Sequence, residues 1–215
     1  MKGLITSVFL FIGFCVQGQE IKGGLESFIT QNTIYPPYSL QNCIQGIVNI
    51  SFKLNAAGEV YTSRVSSGIG TDLDDEALRL IRLSSGKWKM PEGYDTAVAL
   101  YVPVNFRLSG YNCDLKTPQD IQKAIAAYKA NEGLSNAVQN FYRNKEKGIY
   151  NKADEPKMDL LKQQLGIDEE YLQSKISDGK AKLKQKDRQG ACEDFLFVKH
   201  MGSTLADELL SQYCK

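Results

Sequence analysis

The fold is decided by Ile47-Val48-Asn49-Ile50-Ser51-Phe52-Lys53-Leu54. In this stretch every second residue from Val48 is apolar and the residues between are polar, which is the period of a strand with one buried face. Asn55-Ala56-Ala57-Gly58 follows, and its glycine can take the left-handed conformation that closes a hairpin. Residues 60–66 then predict a second strand that returns beside the first.

The segment from Gly68 to Ser84 changes to a helical period. One face of the predicted helix carries small and apolar residues, namely Leu73, Ala77, Leu80, Ile81 and Ser84. Asp74, Asp75 and Glu76 lie in its first turn, where carboxylates interact favourably with the helix dipole. We therefore expect a short amphipathic helix after the hairpin.

A third strand is predicted from the longest alternating pattern in the chain. The expected strand consists of Val98, Ala99, Leu100, Tyr101, Val102, Pro103, Val104, Asn105 and Phe106. Ala99, Tyr101 and Asn105 belong to its less buried face. Because a proline has no N–H to donate, Pro103 places this strand at the edge of a sheet.

Strand, turn, strand, helix, strand is most simply arranged as a three-stranded, largely antiparallel sheet backed by helix, which is an α+β fold. Several short motifs occur in the same order, namely Tyr35-Pro36-Pro37, Ile44-Gln45-Gly46-Ile47-Val48, Ala57-Gly58-Glu59-Val60, Ser66-Ser67-Gly68, Leu73-Asp74-Asp75-Glu76-Ala77, Lys87-Trp88 and Val102-Pro103-Val104-Asn105-Phe106. Together they resemble the TonB carboxy-terminal domain, over about residues 35–108.

The resemblance implies a partner. TonB carboxy-terminal domains receive a short extended segment of outer-membrane TonB-dependent transporters along their last strand, which corresponds here to residues 97–108. An unpaired edge offers backbone donors and acceptors to such a segment. Four to six hydrogen bonds at about 0.5–1.5 kcal/mol each predict roughly micromolar binding.

The N-terminus and the charge balance bear on location and partners. Residues 1–18 combine Lys2 with an apolar run from Leu4 to Val16, which predicts a cleaved secretory signal, a periplasmic mature chain and no membrane span after cleavage. A lipoprotein signal ending at Cys15 is the alternative. With 26 Lys and Arg against 25 Asp and Glu, the chain lacks the excess positive charge expected of a nucleic-acid-binding protein.

Four cysteines remain after the signal, namely Cys43, Cys113, Cys192 and Cys214. Four cysteines in an oxidising compartment allow three pairings. If the third strand lies antiparallel beside the first, Cys43 meets Cys113, and Cys192 then pairs with Cys214. Each bridge would stabilise the fold by about 2–4 kcal/mol; four buried free thiols are the alternative.

After residues 19–113, the predicted TonB-like domain, the strand pattern ends. Thr117-Pro118-Gln119-Asp120 predicts a helix start, and Gly133, Gly148 and Pro156 are expected to interrupt a helical connector over residues 114–167, with an exposed loop at 144–157. Residues 168–215 resemble a single tetratricopeptide-like helical unit. Gly179, Ala191 and Phe195 lie at the packing positions of such a repeat, residues 186–189 form its turn, and a third helix is expected at 204–214.

Catalytic and metal-binding interpretations are weak, and we expect neither an enzyme nor a cofactor. His200 is the only histidine, and a partly exposed helical histidine is the simpler interpretation. Gly68-Ile69-Gly70 lacks the third glycine of a dinucleotide loop. The acidic residues from Asp72 to Glu76 lack the spacing of a calcium loop. Trp88 and residues 35–38 could form a peptide groove or an aromatic lid on the core.

The sequence thus predicts an exported module that binds an extended segment of an envelope protein by strand addition. Because neither an uncleaved anchor nor a Pro-rich spacer is recognisable, we do not expect a complete energy transducer. The alternative is a helical scaffold whose TonB-like domain is only a platform, with its edge covered by residues 20–33 through Leu25, Phe28 and Ile29. Pairing of two identical edges into a homodimer stays open.

Overall fold

A computed structural model describes Glu20, Ile21 and residues 23–214 of the chain. The predicted signal at residues 1–18 and the alternative at Cys15 lie outside the described residues. The strands are β1 (Glu20–Ile21), β2 (Gly46–Leu54), β3 (Val60–Ser67), β4 (Trp88–Lys89) and β5 (Leu100–Phe106). The α-helices are α1 (Leu25–Asn32), α2 (Pro37–Gln41), α3 (Asp72–Leu83), α4 (Pro118–Glu146), α5 (Glu155–Gln164), α6 (Glu169–Lys184), α7 (Arg188–His200) and α8 (Asp207–Tyr213).

The predicted α+β fold is confirmed. The main sheet has the order β3-β2-β5, and both pairs of neighbouring strands are antiparallel. The hairpin turns at Gly58, whose φ is 74°, and the Asn55 carboxamide accepts bonds from the backbone of Ala57 and Glu59 at 2.9 Å each. β2 is therefore central, and β3 and β5 are the two edges.

The first hydrophobic core lies between the sheet and α3. The alternating residues of β2 are all buried, as are the predicted core residues of α3; they are Val48, Ile50, Phe52, Leu54, Leu73, Ala77, Leu80 and Ile81. Trp88 packs on Phe52 with ring centroids 5.4 Å apart, and its indole N–H donates to Ser84 Oγ at 2.8 Å. The aromatic-lid interpretation of Trp88 is confirmed, because its side chain belongs to this core.

The second hydrophobic core is built from helices and the loop between α7 and α8, without a strand. It contains Val138 and Tyr142 of α4 together with residues of α6, α7 and the segment that follows. Phe195 of α7 lies against Gly179 of α6 so closely that a Cβ at Gly179 would overlap its ring. The helical hairpin expected from Gly179, Ala191 and Phe195 therefore forms, while its resemblance to a tetratricopeptide repeat stays a prediction.

α4 connects the two cores and corrects the prediction that Gly133 interrupts a helix. The helix runs unbroken through Gly133, from a capping box between Thr117 and Asp120 to Glu146. Its first half packs on the first core through Ile121, Ala124 and Ile125. The expected exposed loop at 144–157 is also shorter than predicted, because α4 extends to Glu146 and Pro156 lies in the first turn of α5. Packing at both ends of the helix and a good N-terminal cap outweigh the weak helix propensity of one glycine.

Both predicted disulfides are present. Cys43 is bonded to Cys113 and Cys192 to Cys214, each pair with Cα atoms 5.6 Å apart. The first bridge joins the segment before β2 to the segment after β5, as the antiparallel arrangement requires. The second joins α7 to the end of α8. The alternative of four free thiols is wrong.

Candidate functional site

The candidate site is the outer edge of β5. In the register of this strand Asn49 of β2 lies opposite Pro103. Since a proline cannot donate, this pair must be one of the non-hydrogen-bonded pairs of the antiparallel ladder, and its neighbours on β5 alternate with it. The peptide groups of Leu100, Val102, Val104 and Phe106 therefore face β2, and those of Tyr101, Pro103 and Asn105 face outward.

The outward row offers five backbone groups. They are the N–H groups of Tyr101 and Asn105 and the C=O groups of Tyr101, Pro103 and Asn105. Among the described residues, none donates to or accepts from these groups. The edge predicted from Pro103 thus carries peptide groups able to pair with another strand.

The side chains of β5 follow the predicted alternation. Val104 and Phe106 are buried, and Leu100 and Val102 are partly buried. Tyr101, Pro103 and Asn105 are exposed, with 64% of Tyr101 accessible. Ala99 was predicted on this face but does not lie within the strand.

The strand begins two residues later than predicted. Val98 and Ala99 precede β5, because the chain turns at Asp95 immediately before them. The Asp95 carboxylate accepts from the N–H of Ala97 at 2.8 Å, and its carbonyl accepts from the N–H of Val98 at 3.2 Å. This Asx-type turn ends the ladder at Leu100, which lies opposite Phe52.

The other edge of the sheet is occupied by side chains. At Ser63 of β3, Gln189 of α7 accepts from the backbone N–H and donates to the backbone C=O, both at 2.7 Å. The N–H of Val60 donates to Ser85 Oγ at 3.0 Å. The carboxamide of Gln189 therefore bonds to β3 as a peptide group of a neighbouring strand would.

A buried arginine lies beside this contact. Arg82 of α3 is 6% exposed; it donates through Nε to Ser63 Oγ and through both terminal nitrogens to Glu193 of α7, all at 2.8 Å. Asp187 lies 3.9 Å from Arg82 Nε. This group of polar contacts cannot be predicted from the sequence, because Ser63 and Gln189 are 126 residues apart and isolated polar residues have no periodicity that indicates a contact.

Within the described residues, the N-terminal segment lies beside β5 and makes no hydrogen bond to its outer edge. β1 pairs with β4, with Ile21 opposite Trp88. Leu25, Phe28 and Ile29 of α1 pack against the first core. An open cleft of about 500 Å³ separates this segment from Leu100, Tyr101 and Val102. No hydrogen bond of the described residues reaches the outward groups of β5. The interpretation in which residues 20–33 shield this edge therefore has no support from these contacts.

A larger groove of about 670 Å³ lies between α3, α4 and the helices of the second core. Asp75 of α3 projects into it; the carboxylate keeps contact with solvent but is surrounded by the walls of the groove. This partial burial raises the pKa of Asp75 to about 6, and repulsion from Glu132 of α4 adds to the effect, while Lys175 and Lys182 of α6 oppose it. The groove therefore holds a carboxyl group that titrates near neutral pH.

The residues considered for catalysis or metal binding have structural contacts. The Asp74 carboxylate accepts from the N–H groups of Ile69 and Gly70 at 2.9 Å each, so it holds the Gly68–Gly70 loop against the start of α3. Asp72 accepts from the N–H groups of Tyr38 and Ser39. His200 is partly buried in the last turn of α7, and burial lowers its pKa. Across Glu20, Ile21 and residues 23–214, no three His, Cys, Asp or Glu side chains are grouped as a metal site.

Together these observations define an α+β domain with one occupied and one open sheet edge, joined to a helical unit. Residues 31–108 match the family model described as Gram-negative bacterial TonB protein C-terminal. The match covers a little over a third of the chain and includes β2, β3, α3 and β5. Comparisons with curated proteins and with solved structures find no match.

The family match identifies this part of the chain as similar to a protein-interacting domain of the Gram-negative cell envelope. Among the helices of the described residues, none has the length and apolar character needed to cross a membrane.

Proposed function

We propose that the chain is a non-catalytic binding protein of the periplasm that takes up an extended segment of an outer-membrane transporter or another envelope protein along β5. The observation that carries the proposal is the difference between the two edges of the sheet. β3 is occupied by Gln189 and Ser85, whereas the outward groups of β5 have no partner among the described residues. The family match over residues 31–108 supports a partner in the envelope.

The expected affinity follows from the number of groups. The outward row of β5 offers two donors and three acceptors. At about 0.5–1.5 kcal/mol net per hydrogen bond, five bonds correspond to a dissociation constant in the millimolar to micromolar range, before side chains contribute. Such binding suits a contact that forms and dissociates repeatedly.

The test uses the orientation of Tyr101. The N–H of Tyr101 faces outward, so Tyr101→Pro removes a donor from the open edge without removing a bond to β2. Pro103, two residues further along the strand, is a proline in the same orientation. Tyr101→Ala is the matched control, since it removes the same side chain but keeps the N–H. The probes are synthetic peptides that span the short extended segment of outer-membrane TonB-dependent transporters.

We expect Tyr101→Pro to bind such a peptide about two- to tenfold more weakly than Tyr101→Ala, the effect of one lost hydrogen bond. Amide hydrogen exchange should show new protection at Tyr101 and Asn105 when the peptide is added. Equal affinities of the two variants, with both correctly folded, would show that the peptide does not pair with β5.

A further inference from the structure

We propose that the outer edge of β3 is a second strand-accepting edge, which the C-terminal helices occupy through Gln189 and which an extended acidic segment of another protein occupies when the helices withdraw. The proposal is independent of binding at β5. It rests on the form of the Gln189 contact, the polarity of the seam between β3 and α7, and the exposed middle of α4.

The Gln189 contact imitates strand pairing. Ser63 uses its backbone N–H and C=O to bond the same carboxamide, each at 2.7 Å, and its pair with Phe52 of β2 is correspondingly a non-hydrogen-bonded one. Val65, two residues further along β3, faces the same way. An incoming strand could therefore replace Gln189 bond for bond at Ser63 and continue along the edge.

The seam that holds the helices on β3 is polar. Its contacts are the bonds of Gln189 to Ser63, the pair between Arg82 and Glu193, the longer approach of Asp187 to Arg82 at 3.9 Å, and a pair between Lys186 and Glu59 at 3.7 Å. Within the described residues, the buried and partly buried apolar side chains of α6, α7 and α8 that belong to a core pack in the second core and not against the first. Leu196 of α7, which is 40% exposed, lines an open cleft with Val60 and Tyr61 of β3. Separation of the seam would thus expose hydrogen-bonding groups to water and little apolar surface.

The middle of α4 is the other connection between the two cores. Residues 129–134, about a turn and a half of helix, are all exposed, and the side chain of Lys129 at the start of this stretch lies beside Gly70. Gly133 lies within it, and a Cβ added there would meet no atom within 4 Å. Because glycine weakens a helix interior and the space around Gly133 is open, this is where α4 would bend.

Arg82 specifies the chemistry of the partner. Its side chain is buried and makes a two-pronged pair with Glu193. A buried guanidinium that loses its carboxylate is strongly unfavourable. A strand that displaces α7 must therefore bring its own carboxylate to Arg82, which favours an extended segment with an aspartate or glutamate near its centre.

The first experiment uses the full chain and measures whether loss of the Gln189 carboxamide exposes the edge of β3 to solvent. Gln189→Ala removes the carboxamide, including its bond to Glu193 at 3.0 Å, and leaves the pair between Arg82 and Glu193. Gln173→Ala is the matched control, because Gln173 is an exposed glutamine of α6 whose side chain has no hydrogen bond to the described residues. The amide of Ser63 should exchange with solvent about three- to tenfold faster in Gln189→Ala than in Gln173→Ala. An unchanged rate would show that Gln189 does not protect this edge.

The second experiment adds a probe strand. It is an acetylated and amidated seven-residue peptide of alternating threonine and valine with a central glutamate, compared with the same peptide carrying glutamine. We expect the glutamate peptide to protect the amides of Ser63 and Val65 and to bind Gln189→Ala about tenfold more tightly than the wild type, because the competing carboxamide is gone. The glutamine peptide should bind more weakly than the glutamate peptide.

Three results would overturn the proposal: equal affinity for Gln189→Ala and the wild type, equal affinity of the two peptides, or protection restricted to Leu100–Phe106. The last result would instead show binding at β5. Gly133→Ala supplies an independent variant, because it strengthens the helix without touching β3; it should weaken peptide binding to β3 and leave binding to β5 unchanged.

Discussion

Replacing Cys43 and Cys113 together by alanine should lower the free energy of unfolding more than replacing Cys192 and Cys214 together. The bridges join residues 70 and 22 positions apart in sequence. A cross-link stabilises mainly by restricting the unfolded chain, and the effect grows with the logarithm of the loop length. At 25 °C the relation gives about 4 kcal/mol for the longer loop and about 3 kcal/mol for the shorter one.

Urea unfolding separates the two variants. Trp88 is the only tryptophan and lies in the first core, so its fluorescence reports the TonB-like part of the chain, while far-ultraviolet circular dichroism reports the helices of both cores. A difference of about 1 kcal/mol between the variants is within the resolution of linear extrapolation when the slopes agree. A loss for the Cys192 and Cys214 variant equal to or larger than that for the other would refute the loop-entropy reasoning.

Three further changes are predicted. Gly133→Ala should raise the free energy of unfolding by about 0.5–1 kcal/mol in urea titrations, because it improves helix propensity without a contact. Gly179→Ala should lower it by about 1–3 kcal/mol, because the new Cβ overlaps the Phe195 ring. The raised pKa of Asp75 means that its favourable contribution is complete below about pH 4 and is lost as the pH rises through about 6. Asp75→Asn should therefore raise the melting temperature more at pH 7.5 than at pH 4.5, and an equal rise at both would contradict the assignment.

The periodic parts of the fold were predictable from the sequence. β2 and α3 are predictable because each buries one face, and burial imposes a period of two or 3.6 residues on the sequence. β3 is predictable as the strand that returns after the turn at Asn55–Gly58. The Cys43–Cys113 bridge followed from the antiparallel order of the strands. Pro103 identified β5 as an edge because of a chemical property of one residue type.

The contacts between distant polar residues were not predictable in this way. Gln189 lies at the start of α7 among several other polar residues, and only the tertiary arrangement brings it to Ser63. The continuity of α4 through Gly133 depends on packing at both ends of the helix, which a local pattern does not contain. The pairing of β1 with β4 involves two residues on each strand, too few for an alternation to be visible.

Pro103 also limits what the open edge can join. A strand laid along β5 finds donors at Tyr101 and Asn105 but only a carbonyl midway between them, so its own central carbonyl is left without a partner. Leaving that carbonyl without a hydrogen bond and shielded from water makes the free energy of binding about 1–3 kcal/mol less favourable. One bound segment can offset this cost through its side chains, but a fibril in which each copy extends the sheet of the next would incur it at every layer. The residue that marks β5 as an edge therefore also protects the protein against open-ended aggregation.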